Sequence, residues 1–400
     1  MLRIFFHIII LLNCLTFASA QTSYSLTGKV ISGDDQKPLP WANVFLSNTS
    51  AGTQTDTDGH FRLQNLQAGN FKLVVSFVGY ESIIIDVRPQ EQKSYTLMLK
   101  PSVKSLKEVV IKGKSLSPSE RTRNMKDFRE HFIGLSENAR FCVIQNPSVL
   151  EFKKEALILN ASADSLLIIE NKGLGYRLKF LLEEFTLNTL TKKLLYKGQV
   201  VYERLLPKNQ KEEKQWAVNR LKAYHGSELH FMRALYKHQL SEEGFFINVY
   251  KDKTRKDGTI TNVAVPDTFM VVRSKVFNRR ISLPTIYKYN RVLDSASLTG
   301  PQPVLSFDGQ LEVVYAHEKE SYEYLKRRDP GGMRSTLLQK SRLYLLKPGV
   351  TVDPNGMVLS EENLPTLGYW SWELIAESLP IDYNPEEDEK TLPNKKKETK

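Results

Sequence analysis

The sequence predicts a mainly β chain with an α+β second part. A seven-stranded Greek-key sandwich of transthyretin or immunoglobulin type comes first, and a mixed antiparallel α+β domain follows. Three observations predict this. Between residues 22 and 100, short alternating apolar runs are broken by turn signals about every eight to twelve residues, which is sandwich spacing. Between residues 119 and 383, helix-period and strand-period stretches interleave without a repeat. The chain has 400 residues, 41% of them apolar, which is room for two or three domains and a sizeable core.

The sandwich elements follow in order. Leu26–Ile31 is the first run, and Gly33-Asp34-Asp35-Gln36-Lys37-Pro38 is a turn. Trp41–Ser47 alternates, with Trp41, Asn43, Phe45 and Ser47 on one side. Asp56-Thr57-Asp58-Gly59 punctuates the next hairpin, after which Phe61 and Leu63 flank Arg62. Phe71–Phe77, Ser82–Val87 and Tyr95–Leu99 complete the set. Phe61 and Phe77 are expected between the sheets. Asp56-x-Asp58-Gly59 is a fragment of a calcium loop that lacks the further acidic ligands and the closing Glu, so an Asp-rich turn is expected.

These residues carry a resemblance. Gly28-Lys29-Val30, Pro38-Leu39-Pro40-Trp41-Ala42-Asn43-Val44, Gly52-Thr53, Thr57-Asp58-Gly59-His60-Phe61 and Phe77-Val78-Gly79-Tyr80 together resemble the carboxypeptidase-regulatory-like domain, common in exported Bacteroidetes proteins. Leu106-Lys107-Glu108-Val109-Val110-Ile111-Lys112-Gly113 is similar to the segment after this domain in TonB-dependent outer-membrane transporters. The residues that follow Gly113 (400 − 113 = 287) lack the alternating strands of such a barrel. An edge strand and a polar linker, residues 101–118, are expected instead.

In the second part, Glu120–Phe132 reads as a helix capped by Ser119, and Pro147–Phe152 as a short helical or turn piece. Leu157–Ala161, Leu166–Glu170, the run from Tyr176 to Leu182, and Leu194–Leu205 read as strands. Trp216–Tyr236 reads as one helix with His225 on its apolar face. Strand signals return at Phe245–Tyr250, Thr268–Val276, Leu311–Ala316 and Leu343–Leu346. Tyr369–Ser378 reads as a short final helix, and residues 384–400 as a disordered charged tail. Asn138-Ala139-Arg140-Phe141-Cys142, Asn171-Lys172-Gly173-Leu174-Gly175-Tyr176, Ala223-Tyr224-His225-Gly226-Ser227 and Gly368-Tyr369-Trp370 resemble Bacteroidetes proteins known only as carboxypeptidase-like regulatory domain-containing proteins. That resemblance implies the pairing of the two parts and no activity.

Residues 1–20 read as a signal peptide: Arg3, the apolar run Ile4–Leu12 and the cleavage site Ala18-Ser19-Ala20. An exported, periplasmic or envelope-associated protein is expected, with no transmembrane helix after cleavage. Formal net charge is +11, and +10 without Arg3. Export and the spread of the charges exclude nucleic acid as partner; an envelope protein or a glycan is expected. Cys142 remains once Cys14 leaves with the signal, so no intramolecular disulfide is available.

The search for chemistry returns little. His225-Gly226-Ser227-Glu228 matches the H-x-x-E start of a zinc carboxypeptidase site, with His317 as third ligand. The helical setting and the domain order argue against it, so no metal and no cofactor is expected. Trp370 and Trp372 are a sugar-stacking surface or, on composition, core. The expected function is a non-catalytic exported binding, interaction or structural module. The alternative is a hydrolase, metallopeptidase or glycosidase, with its site in residues 119–383.

Overall fold

The computed structural model describes residues 23–102, 116–254, 260–264, 268–274, 279–285, 304–305, 307, 309–328, 337–347, 349–359 and 363–392. The segment expected as a signal peptide, the strand expected over 106–113 and the basic end of the tail lie outside them.

Seven strands form the N-terminal sandwich. One sheet has β4 (His60–Leu66), β1 (Tyr24–Ser32) and β7 (Ser94–Leu99) in that order. The other has β3 (Gly52–Gln54), β2 (Asn43–Leu46), β5 (Phe71–Ser76) and β6 (Ile83–Val87). β7 joins β1 in parallel, and the other pairings are antiparallel. Period-two patterning gives the inner layer: Leu26, Val30, Val44, Leu46, Phe61, Leu63, Leu73 and Val75 are buried together. Phe61 is in that core and Phe77 packs half-buried against it. Gly28 is dictated by its neighbours, because a Cβ there would stand 2.3 Å from Tyr95 O and 2.6 Å from the Phe61 ring.

The β2 run is shorter than its pattern suggested. Trp41 has left the strand and sits in left-handed backbone at φ 64°. Thr55 clasps this bend: its carbonyl accepts from Trp41 N, and its hydroxyl accepts from Ala42 N while donating to Leu39 O. Left-handed backbone costs a residue with a Cβ about 1–2 kcal/mol.

The second part begins with helix α1 (Pro118–Phe132). Its N-cap is Ser117, two residues before the expected Ser119, and Ser117 and Glu120 close a capping box. α1 lays Phe128 and Phe132 on a six-stranded sheet. That sheet runs β8 (Cys142–Ile144), β11 (Leu167–Asn171), β12 (Tyr176–Asn188), β10 (Ile158–Ala163) and β9 (Leu150–Glu155), with β13 (Leu194–Arg204) on the other edge of β12. The short helical or turn piece expected at 147–152 is a 3₁₀ turn over Pro147–Val149 and then gives way to β9, because Leu150 and Phe152 alternate inward.

Trp216–Tyr236 is not one helix. α2 spans Gln210–Tyr224 and α3 spans Glu228–Tyr236. The chain breaks at His225-Gly226-Ser227, where Gly226 takes φ +83° and Ser227 caps α3. A Cβ at Gly226 would meet Gln339 Oε1 and the Tyr315 ring at 2.6 Å, so two neighbouring elements approach the bare backbone.

α3 packs Phe231, Met232 and Leu235 on the second large sheet. Its order is β15 (Ile260–Ala264), β14 (Phe245–Thr254), β19 (Gln310–Lys319), β20 (Leu338–Tyr344) and β23 (Thr366–Gly368). β16 (Thr268–Ser274) pairs with β17 (Arg279–Thr285), while β18 (Val304–Leu305), β21 (Val350–Val352) and β22 (Val358–Leu359) form a small third sheet. Helix α4 (Tyr322–Arg328) follows β19.

The final helix is misplaced in the sequence reading. Residues 369–378 make turns and one short 3₁₀ stretch, Ile375–Glu377. The helix is instead α5 (Pro385–Thr391), inside the segment expected to be disordered. Tertiary partners explain it: Asp388 receives two hydrogen bonds from the Arg220 guanidinium, at 2.8 and 2.6 Å, and one from Tyr383. Arg220 and Asp388 are both buried, so this pair locks the end of the chain onto α2.

The two parts share a surface. Phe45 and Val74, on the outer face of the second sandwich sheet, pack against Leu166 and Val201. Asn48 N donates to Val200 O, Tyr202 N to Thr49 O, and Ile381 N to Asn48 O. Leu229, Met357 and Ile381 close one end of the sandwich core.

Candidate functional site

The best candidate surrounds Gly226, where the α2–α3 break meets the start of β14, the end of β19 and the turns after β23. Two groups of titratable side chains gather there. On one side are His225, His230, Glu243, Tyr315 and His317. On the other are Glu318, Glu373 and Glu377.

The first group holds two of the three residues of the zinc reading, His225 and His317, and Glu228 stands outside it. His225 is the C-cap of α2, with its ring 5.4 Å from that of His230 and 5.6 Å from Tyr224. Glu228 opens α3 and feels the charge of Glu373. His317 lies with its ring on Gly244, 5.5 Å from the Tyr315 ring. Among the described residues no three His, Cys, Asp or Glu side chains are placed to hold a metal ion. The setting also differs from expectation: His225 stands at a helix break and is half-buried, not on a continuous apolar face.

His230, which the sequence reading did not nominate, is the better-placed histidine. Its Nδ1 accepts the Gly226 N–H, so Nε2 carries the proton and donates to Glu243 Oε2 at 3.1 Å. Burial is the main force on its charge and lowers its pKa to about 4. His225 is lowered as well, again by burial. At neutral pH both rings are uncharged and serve as packing and hydrogen-bonding groups.

The carboxylates behave in the opposite sense. Burial raises Glu318 to about 7, even though Gln339 Nε2 donates to it at 3.0 Å and Lys222 lies near. Burial also raises Glu373 well above its ordinary value, and the charges of Glu377, Glu318 and Glu228 add to the rise. Glu377 is raised by burial, opposed by the hydrogen bonds it accepts from Asn138. Burial favours the protonated form of all three acids, the ingredient of acid–base chemistry that the sequence could not locate. Glu318 lies on β19 while Glu373 and Glu377 sit in the turns after β23, so no spacing signal joined the two segments.

Other candidates resolve simply. Trp370 and Trp372 are each 6% exposed, so they are core; Trp370 Nε1 donates to Gly226 O at 2.7 Å. Burial pushes the Cys142 thiol up to about 12, and its Sγ contacts Asn138 O. Asp56 is spent on its own turn, accepting from Asp58 N and His60 N. A cavity of about 410 Å³ opens where the sandwich meets the second part, lined by Thr49, Ser50, Asn65, Arg204, Asp382 and Glu387 among others.

Known proteins place the first part. The TonB-dependent receptor P39 of Formosa agariphila is 33% identical over 108 residues, which is 27% of this chain and 10% of the receptor. The chain therefore spans about a tenth of that relative's length. Among solved structures, shaft pilin SpaA of Lactobacillus rhamnosus GG matches at 15% identity and TM-score 0.18, over 20% of this chain and 48% of the pilin. A type II cohesin–X–dockerin complex of Acetivibrio cellulolyticus matches at 14% and TM-score 0.19, over 26% of this chain and 73% of that one. These structural likenesses are too slight to carry an argument. The sequence family is specific: residues 26–111 match the CarboxypepD_reg-like domain, and the N-terminal sandwich is a module of that family.

Proposed function

We propose that this is a non-catalytic, exported cell-envelope protein that acts as a binding or structural module. One observation carries the reading: the two histidines beside Gly226 are committed to packing, with His230 bonded to Gly226 and Glu243 and the His225 ring set against those of Tyr224 and His230. The match of the sandwich to about a tenth of a TonB-dependent receptor supports an envelope setting. Arg3, Ile4–Leu12 and Ala18-Ser19-Ala20 support export, with residues 22–100 as the sandwich, 101–118 as the connector and 119–383 as the larger domain.

The test is direct. Purified full chain is analysed for zinc and assayed against peptide and glycan substrates. No bound zinc and no turnover are expected. Stoichiometric zinc that disappears in His225→Ala would overturn the proposal. N-terminal sequencing of protein made in a Bacteroidetes host should begin at Gln21; a retained Met1 would refute export.

A hydrolase is the second reading, favoured by Glu318 at about 7 and by Glu373, which burial raises well above its ordinary value. Turnover of a glycan that is lost in both Glu318→Gln and Glu373→Gln would establish it.

A further inference from the structure

Trp41 combines strain with exposure. It is the bulkiest of eight non-glycine residues at positive φ among the described residues, and 62% of its surface faces solvent. A tryptophan there neither fills the core nor suits the bend, where glycine would be at ease. The Thr55 clasp fixes the backbone at Trp41, from which the exposed indole projects. Val78, in the turn after β5, is also exposed, at 74%.

The loops beside Trp41 are acidic. Asp56 follows the clasp residue, and Asp58 is exposed at the crown of the same loop. The 33–38 turn adds Asp34 and Asp35, and its return arm, Pro38-Leu39, lies against Gly59. Residues 33–60 hold four Asp and one Lys, so their formal charge is 1 − 4 = −3 in a chain of +11. An exposed indole on a rim whose loops carry carboxylates complements a cation held over an aromatic face. Neutral sugars could stack and hydrogen-bond there but would gain no charge complementarity, and acidic partners would be repelled.

We propose that this tip of the sandwich docks an arginine- or lysine-bearing peptide segment of a partner protein, with a cation on the Trp41 face and Asp58 beside it. The assignment deepens the binding reading above and rests on it.

The probe is a fluorescent peptide of alternating Arg and Gly, titrated into the full chain at low salt. Binding should weaken about tenfold in Trp41→Gly. It should weaken about threefold in Asp58→Asn, and similarly when salt is raised. Because glycine suits the bend, the melting temperature of Trp41→Gly should equal or exceed that of the parent, which separates lost binding from lost folding. No binding, binding unchanged in Trp41→Gly, or tighter capture of an acidic peptide or a neutral oligosaccharide at Trp41 would each overturn the assignment. None of these outcomes alters the zinc and turnover assays, so this proposal and the non-catalytic reading fail separately.

Discussion

The two large sheets of the second part fill their interiors with different materials. Against the six-stranded sheet lies carbon: Phe128 stacks on Phe132 at 4.9 Å and tilts against Phe185 at 4.7 Å, while Phe180 meets Phe132 edge-on at 5.0 Å. The five-stranded sheet is apolar on its α3 side, but β19 also buries Gln310 and Glu312. Glu312 accepts from Asn248 and Tyr250, with Lys340 and Arg342 each 3.7 Å away. Carbon cores draw on close packing, and loss of volume is punished. Polar interiors draw on matched partners, and loss of a partner is punished. The candidate site lies in the polar half, where a carboxyl is already maintained at a cost.

The largest test of this contrast is Phe132→Ala. Removing a ring with three neighbouring phenylalanines should cost about 3–5 kcal/mol, read as a shift in urea midpoint at constant slope. A loss under about 1 kcal/mol would mean the carbon core is loosely packed. Next comes Arg220→Ala, which strands the buried Asp388 carboxylate and should cost about 3 kcal/mol. It should also raise exchange of the α5 amides, since that helix is held by this pair.

Glu318→Gln tests the polar half through pH. A carboxyl raised from 4.5 to about 7 in the folded state contributes fully below pH 4.5, and the contribution fades as pH rises to 7. Parent and variant should therefore diverge across that window, the variant gaining about 1–3 kcal/mol relative to the parent by pH 7.5. The buried histidines slope the other way, losing stability as pH falls below 6.5, so the comparison is made against the variant and not against pH alone. Coincident curves would place Glu318 in open solvent. The smallest effect belongs to the sandwich: Trp41→Gly should stabilise by about 1 kcal/mol by releasing left-handed strain.

The same contrast explains what could be read in advance. The sandwich was legible because its core obeys period two and its turns are local: Phe61, Leu63 and Gly28 each announce their surroundings. Only Trp41 misled, since alternation says nothing about a backbone bend fixed by Thr55 thirteen residues away. In the larger part, helices were legible where the cap was local, as at Ser117. The α2–α3 break was hidden because apolar periodicity continues through it, although Gly226 and Ser227 were signals for a stop and a new cap. α5 was invisible because its sequence is nearly all charge, and its reason to fold is Arg220, 168 residues upstream. The carboxylate site was likewise unreadable, because β19 and the turns after β23 meet only in three dimensions.

The seam between the two parts has a consequence for how the chain matures. Ser50 accepts its place from Asp382, whose carboxylate takes the Ser50 N–H at 2.9 Å across 332 residues of sequence. Ile381 bonds Asn48 from the same direction. The sandwich is synthesised before the second part, yet its outer face, Phe45 and Val74, waits for β13, and its rim waits for Asp382, 332 residues beyond Ser50. Contacts of such long sequence separation close late and slowly. Until they close, an apolar face stands open, so a chain interrupted before residue 381 would present a sticky, half-finished seam, a substrate for chaperones and proteases.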